Sequence, residues 1–476
     1  MSKLSPVKLS FVYSFAEKYT LLLLGTGSAM VISRVLTPAE IGVYSIGAVL
    51  AGLAQAVRDF GVGQYVIQEK ELTADKLRAA FSTSIAVAWL LAAVVAASSG
   101  AVAQFYRQAQ LQTVLQLQAL NFLLIPFSSV TLPYLRRQLR FSAIYAINTT
   151  HSVAQLICSV SLALLGFGTL SLAWSAVAGT VGALLTSLLL RPEELPWLPG
   201  LRGIGAILRF GTLSTAGGMV DEIGVAAPDL IVGKLIGATG VGIFGKAMGV
   251  LNIFNQLITS AISPVVFPLY AAHARDGGDL KHAYLQTVSY MAALAWPFFG
   301  FLAVMAPAVL RVLYGPQWDA AVPLIRIMCI SSAFYSMFSM ARYLFVAMGH
   351  VRAQAKLDAL AVPMRVAAVL IAAPFGLVWV AWAVVLGALL RSAVTYFYLV
   401  VLANIRWLDL LRAVSRSAMV ATLCGAAPLA TQAWAPLSEG HLLLPLLAAA
   451  LATALLWLGS MLLVRHELTL EFKLAK

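Results

Sequence analysis

The chain alternates long apolar stretches with short breaks that are polar or rich in Gly and Pro. Most stretches reach about 20 residues, and as helices at 1.5 Å per residue they cross the roughly 30 Å hydrocarbon core of a bilayer. The pattern predicts fourteen such helices, over 11–34, 41–66, 80–105, 112–134, 142–166, 169–190, 210–233, 241–270, 284–310, 320–348, 356–375, 377–403, 415–434 and 441–464. The longest connections run to roughly 10 to 20 residues, leaving no room for a folded soluble domain. The apolar positions are continuous rather than alternating, which argues against a transmembrane β-barrel.

Composition sharpens this picture. The 476 residues are 61% hydrophobic and 11% charged, with a mean hydropathy of +0.89. Soluble domains carry about 25% charged residues. The expected class is therefore all-α and integral to the membrane. The net charge of +13 does not call for nucleic acid. With the N-terminus placed in the cytoplasm, the inner loops collect about 21 Lys and Arg and the outer loops only 4, namely Arg34, Arg107, Lys234 and Arg311. That asymmetry sets the orientation, with both termini cytoplasmic. Cys158, Cys329 and Cys424 lie far apart inside apolar runs. They have neither disulfide nor metal-ligand spacing and read as packing residues. No metal or cofactor is expected, and no cleavable signal peptide is discerned at the basic N-terminus.

One phrase is written twice. RVLTPAEIGVYSIG, from Arg34 to Gly47, aligns without a gap on KLIGATGVGIFGKA, from Lys234 to Ala247. The first copy joins predicted helices one and two, the second joins seven and eight, and an even number of crossings separates helix one from helix seven, so both copies have the same orientation. This predicts a parallel repeat about an axis along the membrane normal. The first lobe is 1–195 and the second 205–403, with 404–476 holding two further helices and a cytoplasmic tail. The link RPEELPWLPGLRGIG is rich in Pro and Gly.

TPAEIGVYSIG followed by RDFGVGQYVIQ resembles the opening of the bacterial polysaccharide transporters, the Wzx-type oligosaccharide flippases. The resemblance continues in order through IVGKLIGATGVGIFGKA, SPVVFPLYAAHA, VLYGPQWDAAVPLIRIM and LFVAMGHVRAQ, covering nearly the whole chain. These transporters belong to the multidrug/oligosaccharidyl-lipid/polysaccharide (MOP) exporter superfamily. The resemblance implies two six-helix lobes around a central cavity plus two C-terminal helices. It also implies a substrate, undecaprenyl-pyrophosphate-linked oligosaccharide, moved from the inner to the outer leaflet.

A dozen ionisable residues fall inside predicted helices, each costing roughly 2.5–3.5 kcal/mol at mid-depth unless paired or wet. They are Glu17, Lys18, Arg58, Asp59, Asp221, Glu222, Asp229, Lys246, Arg326, Arg342, Arg365 and Arg391. Arg34 and Lys234 are equivalent in the repeat and suit helix C-termini. By contrast, Arg58-Asp59 lies over Ile258-Thr259, and Lys246 over Ile46. Residues that break the symmetry are better candidates for function than for fold. The candidate substrate cations are Lys18, Arg58, Lys246, Arg342, Arg365 and Arg391, since guanidinium forks suit phosphate. The candidate ion-coupling acids are Glu17, Asp59, Asp221, Glu222 and Asp229, with salt bridges as the alternative role. Polar stripes at steps of three and four lie on the fifth helix (Asn148, His151/Ser152, Gln155, Ser159), the eighth (from Asn252) and the tenth (from Ser332). Each either joins helices or faces a cavity.

Together these readings predict a multi-pass carrier of the bacterial cytoplasmic membrane, not an enzyme, that flips a lipid-linked oligosaccharide for exopolysaccharide or O-antigen synthesis by alternating access. Membrane lipids are expected partners, with a polysaccharide polymerase and chain-length proteins as further candidates. The competing reading is a multidrug/cation antiporter of the same superfamily, which fits poorly with six buried basic residues.

Overall fold

The computed structural model describes residues 6–196, 198–434 and 442–469. Among them there is no strand. The helices in order are α1 (Pro6–Val35), α2 (Pro38–Asp59), α3 (Val62–Gln68), α4 (Ala74–Tyr106), α5 (Ala109–Leu124), α6 (Pro126–Ser129), α7 (Thr131–Arg137), α8 (Phe141–Leu164), α9 (Thr169–Leu189), α10 (Ile204–Leu235), α11 (Ala238–Phe254), α12 (Ser260–Asp276), α13 (Leu280–Tyr314), α14 (Val322–Tyr335), α15 (Ala341–Ala347), α16 (Val351–Ala372), α17 (Leu377–Ala403), α18 (Trp407–Trp434) and α19 (Leu443–Leu463).

Each predicted stretch is largely helical over its described residues, but several are interrupted. A bend of 44° separates α5 from the α6–α7 segment at Pro126, where the ring removes a donor and clashes with the preceding turn. A π-helical turn at Asn255–Thr259 joins α11 to α12. Among the described residues, ten helical segments are long and apolar enough to cross a membrane, or eleven with the bent pair. The segments α1, α8 and α10 are not among the ten. Polar residues dilute each of them: Glu17 and Lys18 in α1, the run from Asn148 to Ser152 in α8, and the acids of α10.

The chain forms two compact units, divided between Gly242 and Ile243. In the first, α8 packs against α1 and α9, α4 against α5, and α10 against α2 and α4. Thr37 begins α2 with a capping box. Its side chain accepts from the Glu40 amide at 3.3 Å, and the Glu40 carboxylate accepts from the Thr37 amide at 2.8 Å. Such caps contribute about 1 kcal/mol. The Thr169 hydroxyl donates to the Glu40 carbonyl at 3.2 Å, which ties the start of α9 to α2. At the end of α3, the Arg137 guanidinium donates to the Val66, Glu69 and Lys70 carbonyls. It thereby satisfies acceptors that the end of α3 leaves unpaired.

The repeated phrase makes a backbone crossing inside this unit. A Cβ at Gly42 would lie 1.7 Å from the Ala238 carbonyl oxygen, and a Cβ at Gly242 would lie 2.2 Å from the Pro38 carbonyl oxygen. Positions 38 and 238, and 42 and 242, correspond in the two copies, so the contact is reciprocal in the manner of a two-fold interface. Gly42→Ala must displace main chain. It is expected to lower the thermal unfolding midpoint of the detergent-purified protein by about 5 °C or more. Gly245→Ala meets nothing within 4 Å and should leave the midpoint unchanged or slightly higher.

In the second unit α13 packs against α14, α18 and α19, and α17 against α14 and α16. Its largest fully buried side chain is Trp318, in the turn after α13. Arg311 grips Asp319 of that turn with two nitrogens, at 3.0 and 2.7 Å. Near the end of the described chain, His466 is fully buried. Its Nε2 is 3.0 Å from the Ser417 hydroxyl and 3.2 Å from that of Ser289, and its Nδ1 accepts from the Leu468 amide at 3.3 Å. Burial pushes the His466 pKa below the ordinary histidine value; Glu467 opposes the shift and Arg416 adds to it. Below about pH 6.5 the unfolded chain therefore binds the extra proton first. Stability is complete above that pH and falls as pH drops towards the folded-state pKa. The unfolding midpoint should be lower at pH 5.5 than at pH 7.5, and His466→Gln should remove part of that difference.

Candidate functional site

A cavity of about 720 Å³ lies within the first unit, in the size range of small-molecule sites. One face of α2 builds its first wall. Tyr44, Ala48, Ala51, Gln55 and Arg58 recur at steps of three and four, the spacing that brings residues onto one side of a helix. The α5 helix adds Gln118 and Asn121, α8 adds Asn148, His151 and Gln155, and α9 adds Thr180. Arg136, at the end of α7, contributes a second cation. Polar faces on otherwise apolar helices are costly towards lipid, so they turn to one another or to water. Here four helices turn theirs to one space.

Arg58 is the most constrained charge of this lining. Its side chain is 12% exposed, while that of its ion-pair partner Asp59 is 64% exposed. Its Nε is buried and has no hydrogen-bond partner among the described residues. A half-desolvated guanidinium whose acid lies towards water retains capacity for a second anion.

The residues selected from the sequence fall into several places. Arg58 and Asp59 line the cavity. Glu17 on α1 accepts a 2.6 Å bond from Asn148, a cavity residue. Lys18 is half-buried on the same helix. On α10, Glu222 is exposed and Asp229 half-buried, while the side chain of Asp221 lies outside the described residues. The remaining cations belong to the second unit. Lys246 stands over the Tyr314 ring at 4.4 Å and the Trp318 ring at 5.1 Å, a cation–π setting. Arg342 is exposed. The Arg365 stem packs at Gly387, where a Cβ would come within 3.0 Å of it. Arg391 donates to Asp358 at 2.8 Å, and Gln354 donates to the other oxygen of that carboxylate at 2.8 Å. Asp358 is thus an acidic partner of Arg391 within the second unit. Arg326 donates to the Ala303 carbonyl at 3.2 Å.

Of the three polar stripes, that on α8 reaches the cavity through Asn148, His151 and Gln155. Its lower member Ser159 stands 3.5 Å from Ser28 of α1 and joins the two helices. In the stripe near Asn252, Asn252, Asn255 and Gln256 are exposed, with Asn255 donating to Asn252 at 3.3 Å. On the tenth predicted helix, Ser336 and Ser339 bond carbonyls of their own helix. Sequence reasoning missed Gln118, Asn121, Arg136 and Asp358. The first two had a signal, a pair of carboxamides one turn apart in the apolar run VLQLQALNFLL.

A sequence profile described as "Polysaccharide biosynthesis protein" matches residues 31–323. The chain is 24% identical over 290 residues to the teichuronic acid biosynthesis protein TuaB of Bacillus subtilis (strain 168), an alignment covering 58% of each chain. It is 22% identical over 319 residues to the lipopolysaccharide biosynthesis protein WzxC of Escherichia coli (strain K12), covering 65% of this chain and 64% of WzxC. The aligned region thus spans about three fifths of these relatives. Among solved structures, the lipid II flippase MurJ in an inward closed conformation superposes with a TM-score of 0.76 at 11% identity, over 96% of this chain and 99% of that one. At that identity the likeness is one of fold.

Proposed function

The chain belongs to the polysaccharide biosynthesis protein family, and we propose that it carries an undecaprenyl-pyrophosphate-linked oligosaccharide from the inner to the outer leaflet of the cytoplasmic membrane. The observation that carries this reading is the polar cavity of the first unit, with Arg58 buried at its wall. A pyrophosphate brings anionic oxygens that suit a guanidinium fork. Its outward passage across an inside-negative membrane is favourable by roughly 2.3 kcal/mol per charge per 100 mV. The uphill component is the polar headgroup, and a wet polar cavity shelters it while the prenyl tail stays in lipid.

In this reading all fourteen helical stretches cross the membrane, both termini are cytoplasmic, and residues 1–195 and 205–403 are the two copies of the repeat, followed by 404–476. The reciprocal contact of Gly42 and Gly242 supports the repeat. The excess of Lys and Arg on one set of loops supports the orientation. The protein acts as a carrier rather than an enzyme and hands its cargo to a polymerase working with chain-length proteins.

Deleting the gene tests the assignment. Loss of a surface polysaccharide with accumulation of lipid-linked intermediates on the inner leaflet is the expected result. Unchanged polysaccharide together with raised sensitivity to cationic dyes would favour the antiporter instead.

A further inference from the structure

The two ends of α2 bring different chemistry to the cavity. Arg58 and Tyr44 are fourteen residues apart, about 20 Å along a helix. The charged side chains of the lining, Arg58, Asp59 and Arg136, come from the end of α2 and from α7. The polar lining that α5, α8 and α9 add, apart from His151, is neutral, four amides and a hydroxyl: Gln118, Asn121, Asn148, Gln155 and Thr180. An elongated ligand with an anionic end and an uncharged polyol end matches that division.

Within the neutral part, one group calls for a partner. Gln118 and Asn121 are 8% and 7% exposed. Asn121 Nδ2 donates to Gln118 Oε1 at 3.1 Å. Asn121 Oδ1 is buried and has no hydrogen-bond partner among the described residues. Turning the Asn121 amide over would set oxygen against oxygen at Gln118 and leave the nitrogen unpaired instead. Either assignment leaves one polar atom unmatched. A buried amide atom without a partner costs about 1–3 kcal/mol, and leucine at both positions would be easier to place in a membrane. The arrangement is accounted for when a ligand supplies the missing donor.

We propose that the Gln118–Asn121 pair is a specificity-determining sugar site, in which Asn121 Oδ1 accepts a hydroxyl or acetamido N–H from the saccharide attached to the carrier pyrophosphate. The proposal rests on the flippase reading and names the part of the cargo that this wall of the cavity recognises. A site built to pair with a hydroxyl discriminates strongly against ligands that lack it, because its own polar group then stays unpaired. Bare carrier lipid, which offers no such donor, does not engage the pair.

Native mass spectrometry of the full-length protein in detergent tests this with four probes: undecaprenyl pyrophosphate alone, and the same lipid bearing glucose, galactose or N-acetylglucosamine. At least one sugar-bearing lipid is expected to bind wild type about tenfold more tightly than the bare lipid. Asn121→Leu and Gln118→Leu should each remove most of that gain, while affinity for the bare lipid, which also reports a folded site, stays the same. Arg58→Ala should weaken all four probes. If no sugar adds affinity, or if both leucine variants keep the full gain, the sugar site is overturned. If wild type binds none of the four lipids, the flippase reading itself fails.

Discussion

Arg58→Ala is expected to reduce transport about 10- to 100-fold while the protein remains in the membrane at near-normal abundance. A charge-assisted hydrogen bond to a ligand contributes about 1.5–3 kcal/mol, and each 1.4 kcal/mol is a factor of ten. Arg58 is the cavity cation whose Nε is buried without a partner among the described residues, so its removal costs the fold little and the anion much. Arg58→Lys retains the charge but not the planar fork and should recover part of the rate. Asp59→Asn should have a smaller effect, since that carboxylate is 64% exposed. The measurement is the appearance of lipid-linked oligosaccharide in the far leaflet of proteoliposomes, with membrane abundance as the companion reading. Full transport by Arg58→Ala would remove this arginine from the substrate path.

The second large effect is structural. Asp358→Leu removes the carboxylate to which Arg391 donates, in a helix that is long and apolar enough to span the membrane. Breaking one side of a buried ion pair costs about 3–5 kcal/mol, whereas replacing both sides by apolar residues is often close to neutral. The single variant should therefore be poorly accumulated and unfold at lower temperature. The double variant Asp358→Leu with Arg391→Met should recover most of the loss. If the double variant is no better than the single, Asp358 matters for another reason. Transport by a well-folded double variant would also show that Arg391 is dispensable for cargo.

Much of the helical order was legible because a bilayer imposes one length on apolar stretches, and that length survives any detail of packing. Breaks inside a stretch were harder to read. Pro126 is a signal for its bend that the single helix expected over 112–134 passes over, while the π turn at Asn255 has no sequence signature of comparable strength. In the cavity, the Arg58-Asp59 couple was legible through its absence from the second copy of the repeat, and the α8 stripe through its helical spacing. Gln118 and Asn121 escaped notice because a search led by charge passes over neutral amides. Arg136 was absorbed into the tally of cytoplasmic cations. Asp358 lies near the start of a predicted helix, where an acid reads as a residue of the membrane surface, and only its pairing with Arg391 reveals a different role.

The Gly42 crossing also has a genetic consequence. The obstacle to a side chain at position 42 is the carbonyl oxygen of residue 238, an atom that every amino acid carries. No substitution at 238 can make room, so a lesion at Gly42 has no local suppressor. The same holds in mirror fashion for Gly242 and Pro38. A screen for second-site revertants of either glycine should return true reversion or general stabilisers elsewhere in the chain, and no allele at the partner position.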